Sequence, residues 1–165
     1  TDNVSTYYVR RTNPEPFPGR EPMSDLDLRH AELVYVKLLE VHERLEGENV
    51  ALFKEFGLSL PQYNVLRILR GAQGEDLSCH EVSARMLKRV PDVTRLLDRL
   101  EQRDLITRWR CDQDRRVVRT RITDAGLSLL AEMDAPIKAL LAGQFRQFDD
   151  RKLLQLDRLL GRLLR

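Results

Sequence analysis

Residues 90–126 read VPDVTRLLDRLEQRDLITRWRCDQDRRVVRTRITDAG, and the spacing of their apolar side chains changes partway along from that of a helix to that of a strand. Over 91–103 apolar residues recur every three or four positions, with arginines on the opposite side. Apolar and polar residues then alternate singly over 106–110 and again over 117–122. The segment between them, 111–116, is polar throughout most of its length. The stretch therefore predicts a helix followed by a two-stranded β-hairpin whose tip projects into solvent.

A second helix is predicted just before this one, across a tight turn. Ser78 and Glu81 have the spacing of a capping box, in which each side chain accepts a hydrogen bond from the other residue's backbone N–H. Ser59 and Gln62 repeat that spacing further upstream and open another helix. Helix, turn, helix and then hairpin is the order of elements in a winged helix-turn-helix domain, which we assign to 57–123.

Long helices are predicted on both sides of this domain, over 24–56 and within 124–165. The last of them carries seven leucines at near-heptad and adjacent positions: Leu153, Leu154, Leu156, Leu159, Leu160, Leu163 and Leu164. This is more apolar surface than one side of a small core uses, so a partner helix is predicted, most simply from a second copy of the chain. The expected fold class is mainly α with a small β-hairpin, in which the flanking helices form a dimerisation region.

The composition predicts a soluble, cytoplasmic protein. Of the 165 residues 42% are hydrophobic, which is enough to bury a core. No apolar run approaches the ~18 residues of a membrane span, and the first residues lack the apolar segment of a secretory signal. Two cysteines, Cys79 and Cys111, make no disulfide framework. Residues 1–23 hold four of the seven prolines and predict a flexible arm.

Positive charge is concentrated in one part of the chain. Residues 85–121 hold 12 of the 28 basic residues and 6 of the 26 acidic ones, a net charge of +6. The remaining 16 basic and 20 acidic residues give the rest of the chain a net charge of −4. The basic segment is either a solvated face with chance clustering or a binding surface for a polyanion, and charge alone leaves both open.

The motifs resemble those of the MarR family of bacterial transcription regulators. The elements that carry the resemblance are TRLLDRLE (94–101), DRR (114–116), ITDAG (122–126), GLSLPQYNVLRIL (57–69) and LSCHEVSARM (77–86). DRR alone is a weak signal, but its spacing between these flanking motifs is specific. The resemblance covers residues 25–164 and implies a winged helix-turn-helix protein that binds double-stranded DNA as a homodimer.

Seven residues are candidates for DNA contacts, with the helix 91–103 in the major groove and the wing in the minor groove. They are Arg89, Thr94, Arg95, Arg99, Asp114, Arg115 and Arg116. Arg95 or Arg99 could form two hydrogen bonds to guanine, while Arg115 and Arg116 are candidates for minor-groove insertion and phosphate contacts. Asp114 is expected to orient a neighbouring arginine, since phosphates would repel its carboxylate. The alternative is an exposed ion pair with Arg116 that only stiffens the turn.

The resemblance also implies how such a protein works. Family members commonly repress transcription by excluding polymerase from a pseudo-palindromic operator, and many release DNA when a small phenolic or other anionic compound binds. The sequence departs from the family at Asp104, where members usually have glycine, and this places the angle at which the wing leaves the helix in doubt. Residues 1–78 also lack the cysteine with which some members sense oxidants.

An enzymatic function is not expected, and neither is a cofactor or a metal. There is no phosphate-binding glycine loop, nucleophile elbow or HExxH sequence, and Cys79, His80 and Cys111 do not have the spacing of a zinc site. An enzyme using Cys79 or His80 is the weakest hypothesis. The main alternative to the DNA-binding regulator is a winged-helix protein-interaction module, in which the same arginines contact an acidic protein surface.

Overall fold

The computed structural model describes residues 25–87, 90, 92–111, 114 and 116–164. Its elements, in chain order, are α1 (Asp25–Glu55), α2 (Leu60–Gly71), β1 (Leu77–Ser78), α3 (Cys79–Arg85), α4 (Val93–Glu101), β2 (Ile106–Arg110), β3 (Val118–Ile122), α5 (Asp124–Gln144) and α6 (Asp150–Leu163). The mainly α fold with a small β-hairpin is confirmed. The predicted arm at 1–23, and the Ser24 start of the first helix, lie outside the described residues.

The described chain forms two compact units. The first, Val50–Lys138, contains the end of α1, all of α2, α3, α4 and the three strands, and the larger part of α5. We call it the winged unit. The second contains residues 25–49 and 139–164, and we call it the helical unit.

The helix starts inside the winged unit are set by local side-chain caps. Ser59 and Gln62 form a complete capping box at α2, and Ser78 and Glu81 form another at α3, as predicted. The helix predicted over 91–103 is shorter in the structure, because Asp92 is its N-cap and accepts a hydrogen bond from the Arg95 N–H.

The sheet has three antiparallel strands in the order β1-β3-β2, one more than the predicted hairpin. Ile106 pairs with Ile122 at the base of the hairpin, and Arg110 pairs with Val118 near its tip. The extra strand has only two residues, and its Leu77 pairs with Thr120. No periodicity can be read from two residues, so the sequence pattern could not reveal it. We call residues 106–122 the wing.

The core of the winged unit lies between its helices and one face of the sheet. Its largest fully buried side chains are Phe53, Tyr63, Leu66, Leu77, Leu97, Leu100, Ile106, Leu130 and Met133. The rings of Phe53 and Tyr63 stack with their centroids 4.5 Å apart. Arg70 of α2 donates two hydrogen bonds of 3.0 Å to Asp134 of α5, which ties these two helices together. The wing and α4 are therefore packed against a well-filled core.

The helical unit leaves much apolar surface uncovered in the single chain. No residue of α6 is buried. The large apolar residues that this unit exposes on α1, on α6 and directly after α6 are Leu28, Leu33, Val34, Tyr35, Val36, Leu38, Leu39, Val41, Leu154, Leu159, Leu160, Leu163 and Leu164. So many exposed apolar side chains on two helices are typical of a protein interface, which agrees with the partner helix predicted from the leucines.

Asp104 adopts the left-handed conformation that glycine favours, with φ of 55°. Its N–H donates to the Glu101 carbonyl, and its own carbonyl accepts a hydrogen bond of 2.6 Å from the Thr123 hydroxyl. The chain therefore makes the turn between α4 and β2 without glycine, at a cost in backbone strain.

Asp104→Gly is expected to raise the free energy of unfolding by about 0.5 kcal/mol, since it relieves the strain of a side chain at positive φ but loosens the unfolded chain. Thermal unfolding followed by circular dichroism measures the change. The control is Gln102→Gly at φ of −58°, which has no such strain to relieve and should lower stability. A loss of stability in Asp104→Gly as large as in the control would contradict the strain at this turn.

Candidate nucleic-acid interface

Helix α4 turns one face to the core and the other to solvent. Val93, Leu96, Leu97 and Leu100 are buried. The predicted contact residues Thr94, Arg95 and Arg99 are all exposed. The apolar spacing of the sequence thus placed these three side chains on the solvent face correctly.

At the tip of the wing, Asp114 accepts two hydrogen bonds from the backbone that follows it. Its carboxylate accepts the Arg116 backbone N–H at 2.9 Å, and its carbonyl accepts the Val117 N–H at 2.9 Å. This is the pattern of an Asx turn, in which a short acidic side chain holds the backbone two residues on. Asp114 and Arg116 are both exposed. The candidates Arg89 and Arg115 lie outside the described residues.

The middle of the wing is joined to α4 by Arg108, which is not among the residues that the sequence motifs mark as candidates for DNA contact. Its Nε donates to Glu101 at 2.9 Å, and one terminal nitrogen donates both to Glu101 at 2.6 Å and to Asp98. Burial opposes the charge of Arg108, but its hydrogen bonds to these carboxylates outweigh burial and raise its pKa. In the sequence, this contact is indicated by an acidic pair three residues apart on the predicted helix, followed by an arginine inside the next predicted strand.

The outer face of the sheet holds a second group of neutralised arginines. Arg119 donates to Glu81 at 3.1 Å, and Arg121 donates to Asp76 at 2.6 Å. The Arg121 guanidinium also lies 5.5 Å from the centre of the Trp109 ring. Hydrogen bonding with Ser78 lowers the pKa of Glu81, and Arg119 contributes to the same shift, so this carboxylate stays charged.

The arginines of the basic segment therefore fall into two classes. Within the described ranges Arg85, Arg95, Arg99, Arg103, Arg110 and Arg116 form no ion pair, whereas Arg108, Arg119 and Arg121 in the body of the wing do. Of the unpaired cations, Arg85 is half-buried at the end of α3, and Arg103 donates to the carbonyls of Gly57 and Phe56. The other four are exposed on the solvent face of α4, at the end of β2 and at the tip of the wing: Arg95, Arg99, Arg110 and Arg116. Such an arrangement can bind a polyanion along a line that runs from the helix to the tip.

The described residues contain no group of three or more His, Cys, Asp or Glu side chains able to hold a metal ion. Cys79 and Cys111 are both half-buried thiols. The Cys79 sulfur lies 3.9 Å from the Thr94 hydroxyl, so it helps to pack the start of α3 against α4. In the part of the chain that is described, no helix combines the length and apolar character needed to cross a membrane.

Comparison with known proteins gives concordant results. The MarR family model matches residues 58–118. The chain is 26% identical over 140 residues to the HTH-type transcriptional repressor IacR of Pseudomonas putida, covering 85% of this chain and 82% of that protein. A MarR transcription factor from Planctomyces limnophilus has a crystal structure with 32% identity and a TM-score of 0.63, covering 86% of this chain and 98% of that one. The S. aureus MepR–DNA complex shares the fold, with 23% identity, a TM-score of 0.68 and coverage of 79% and 95%.

Proposed function

The chain belongs to the MarR family of transcription regulators, and on that premise we propose that it represses transcription by binding a pseudo-palindromic DNA operator as a homodimer. The observation that carries the proposal is the line of uncompensated arginines from the solvent face of α4 to the tip of the wing. Its role is regulatory rather than enzymatic, and because its partner is chromosomal DNA we place it in the cytoplasm.

In this proposal α4 enters the major groove. Arg95 and Arg99 project from its solvent face, and a guanidinium can donate two hydrogen bonds to the O6 and N7 of one guanine. Thr94, next to them, contacts a phosphate or a thymine methyl group. These three residues supply the sequence preference, because base edges differ in the major groove whereas phosphates do not.

The wing tip is proposed to enter the adjacent minor groove. Arg116 is exposed there on a turn that Asp114 orders through the main chain, so the guanidinium is presented without a competing ion pair among the described residues. The negative potential of a narrow minor groove attracts such a group. Arg115 and Arg89 belong to the same proposal as further minor-groove or phosphate contacts.

Two winged units in a homodimer would read the two halves of the operator. Recognition helices one turn of B-DNA apart, about 34 Å, match half-sites centred about 10 base pairs from each other. The exposed apolar surface of α1 and α6 supports the dimer. A small phenolic or anionic effector would release DNA only if it favours a separation of the two helices that no longer matches the operator.

The rival function is a winged-helix module that binds an acidic protein. Selection of bound duplexes from a random pool by gel shift, repeated at several salt concentrations, separates the two. An inverted repeat recovered at salt concentrations that already remove binding to random duplexes supports the regulator. Featureless sequences, with binding that disappears as salt rises, would favour the module.

Arg95→Ala is expected to reduce affinity for the selected operator about thirtyfold or more, because a homodimer loses one two-bond contact to guanine, worth about 1 kcal/mol or more, at each half-site, and to reduce affinity for random duplexes much less. Fluorescence anisotropy with both duplexes measures the ratio. Equal reductions on the two duplexes would reassign Arg95 to phosphate contact.

Arg116→Ala is expected to weaken binding to all duplexes and to lower the log–log salt slope by about 0.9 for each phosphate that the protein no longer neutralises. In a homodimer both wings carry the substitution, so the slope should fall by twice the change expected for one wing. Titrations at four or more salt concentrations give the slope. An unchanged affinity and slope would remove the wing tip from the interface.

A further inference from the structure

The wing is attached to α4 at two levels. At its base, Ile106 is buried and the adjacent Leu105 N–H donates to the Leu100 carbonyl at 3.1 Å. Two residues further along the strand, the Arg108 guanidinium bridges Asp98 and Glu101. Only 17% of the Arg108 side chain is exposed, so its guanidinium lies between the strand and the helix rather than toward solvent.

Because Arg108 lies near the base of the wing, a small shift at this second attachment produces a larger shift at the tip. Ile106 and Arg108 are separated by about 7 Å along β2, whereas Ile122 and Val118, at the two ends of β3, are separated by about 13 Å. A displacement at Arg108, with the base fixed, is therefore multiplied about twofold at the end of β3, beyond which the tip lies. Simultaneous contact with two neighbouring grooves tolerates little such movement, because hydrogen bonds weaken steeply with distance and angle.

The two carboxylates also stand on the helix that we place against DNA. Asp98 and Glu101 are 44% and 39% exposed, and Asp98 is the immediate neighbour of Arg99. Considered by themselves, they would repel phosphates and weaken binding. Their presence on this helix is explained if their contact with Arg108 strengthens DNA binding by more than their repulsion of phosphates weakens it.

We propose that Arg108 is a positioning residue for operator recognition: by bridging Asp98 and Glu101 it fixes the angle between the wing and α4, so that both reach their grooves together. Arg108 itself need not touch DNA. The proposal rests on the DNA-binding function above. It assigns the acidic pair of the recognition helix a favourable role that its charge alone would not predict.

A double substitution of the two carboxylates tests this idea, because the two explanations predict opposite changes in affinity for the operator. In Asp98→Asn/Glu101→Gln the shapes are kept, but each chain carries two fewer negative charges and Arg108 has no ionic partners. Simple electrostatics predicts tighter binding to every duplex. Positioning predicts tighter binding to random duplexes but weaker binding to the operator, with the ratio of operator to random affinity falling about tenfold, the equivalent of one base contact.

A second set of variants changes Arg108 itself, the residue of the contact that lies on β2. Arg108→Gln is expected to lower the same ratio, and Arg108→Lys to lower it less, since a lysine keeps the charge but lacks the planar fork that reaches both carboxylates. Hydroxyl-radical footprinting should show weaker protection of the minor groove at the wing position, while methylation protection by α4 remains. A merely structural role would reduce both kinds of protection together.

The matched control is Arg121→Gln, which removes an ion pair from the outer face of the neighbouring strand and leaves the attachment to α4 intact. Its affinity ratio should stay within about twofold of the unsubstituted protein, as for other exposed pairs. Circular dichroism of each variant shows whether it is folded. The Asp98 and Glu101 substitutions fall on partly exposed side chains and keep the test available if Arg108→Gln does not fold.

The outcomes separate this proposal from the function on which it rests. If the unsubstituted protein selects an operator and the acidic-pair variant binds it more tightly, with an unchanged ratio, Arg108 has no positioning role and the regulator stands. If the unsubstituted protein has no sequence preference, the regulator fails first and the positioning role fails with it. A lower ratio with a retained α4 footprint supports both.

Discussion

Gly126→Ala should destabilise the winged unit by about 3 kcal/mol, the upper range for forcing an extra methyl group into a packed site. A Cβ atom at this position would lie 2.3 Å from the Leu105 carbonyl oxygen and 2.7 Å from the Ile122 side chain. The Leu105 carbonyl cannot move away easily, because it accepts the Thr123 N–H at 3.1 Å. The close approach joins the start of α5 to the base of the wing, so the substitution should disturb the wing as well.

Thermal unfolding should show a fall in Tm of about 10 °C for a change of this size. Gly143→Ala in the same helix is the matched control, since no described atom lies within 4 Å of a Cβ built there. That variant should be neutral or slightly more stable, as alanine favours the helix more than glycine does. If Gly126→Ala were as stable as this control, the contact between α5 and the wing could not be as close as the structure places it.

The sequence predicted those elements whose causes are local. A capping box needs only two residues three positions apart, and Ser78 with Glu81 marks the start of α3 for that reason. The solvent face of α4 follows from apolar spacing within one helix, so Arg95 and Arg99 were placed correctly. Each of these predictions depends on neighbours within one or two helical turns.

The sequence could not show which arginines are neutralised. A sum of charges counts Arg108, Arg119 and Arg121 with the rest of the basic segment, although all three contact carboxylates in the folded chain. Their partners are set by strand register and by the packing of the sheet on the helices, so Arg121 reaches Asp76 across 45 positions of sequence. The charge available to DNA is therefore less than +6 suggests, and it is more sharply localised.

Close approaches of backbone were equally hidden. The glycine of ITDAG contributed to the family resemblance, but the motif does not show which atoms a side chain at position 126 would clash with. The reason is the carbonyl of Leu105, which belongs to the turn after α4. A tertiary contact of this kind becomes visible only when the wing and α5 are placed together.

Leu160→Glu/Leu163→Glu is expected to convert the protein into monomers and to cut operator affinity about a hundredfold or more, because the two half-sites would no longer be bound by linked units. Both leucines are exposed in the single chain, at 37% and 61%, and no residue of α6 is buried. The substituted chain should therefore keep its fold, while the charges it carries prevent the apolar surface from being covered by a partner.

Gln155→Glu/Arg158→Gln provides a control with the same spacing and the same change in net charge, at exposed polar positions of α6. Sedimentation velocity at micromolar concentration should give a dimer for the control and the unsubstituted chain, and a monomer for the leucine variant. Affinity for a single half-site should differ little among the three proteins, because the winged units are unchanged. Full operator affinity in a monomeric leucine variant would mean that one winged unit is sufficient for recognition, and the exposed leucines would then need a different explanation.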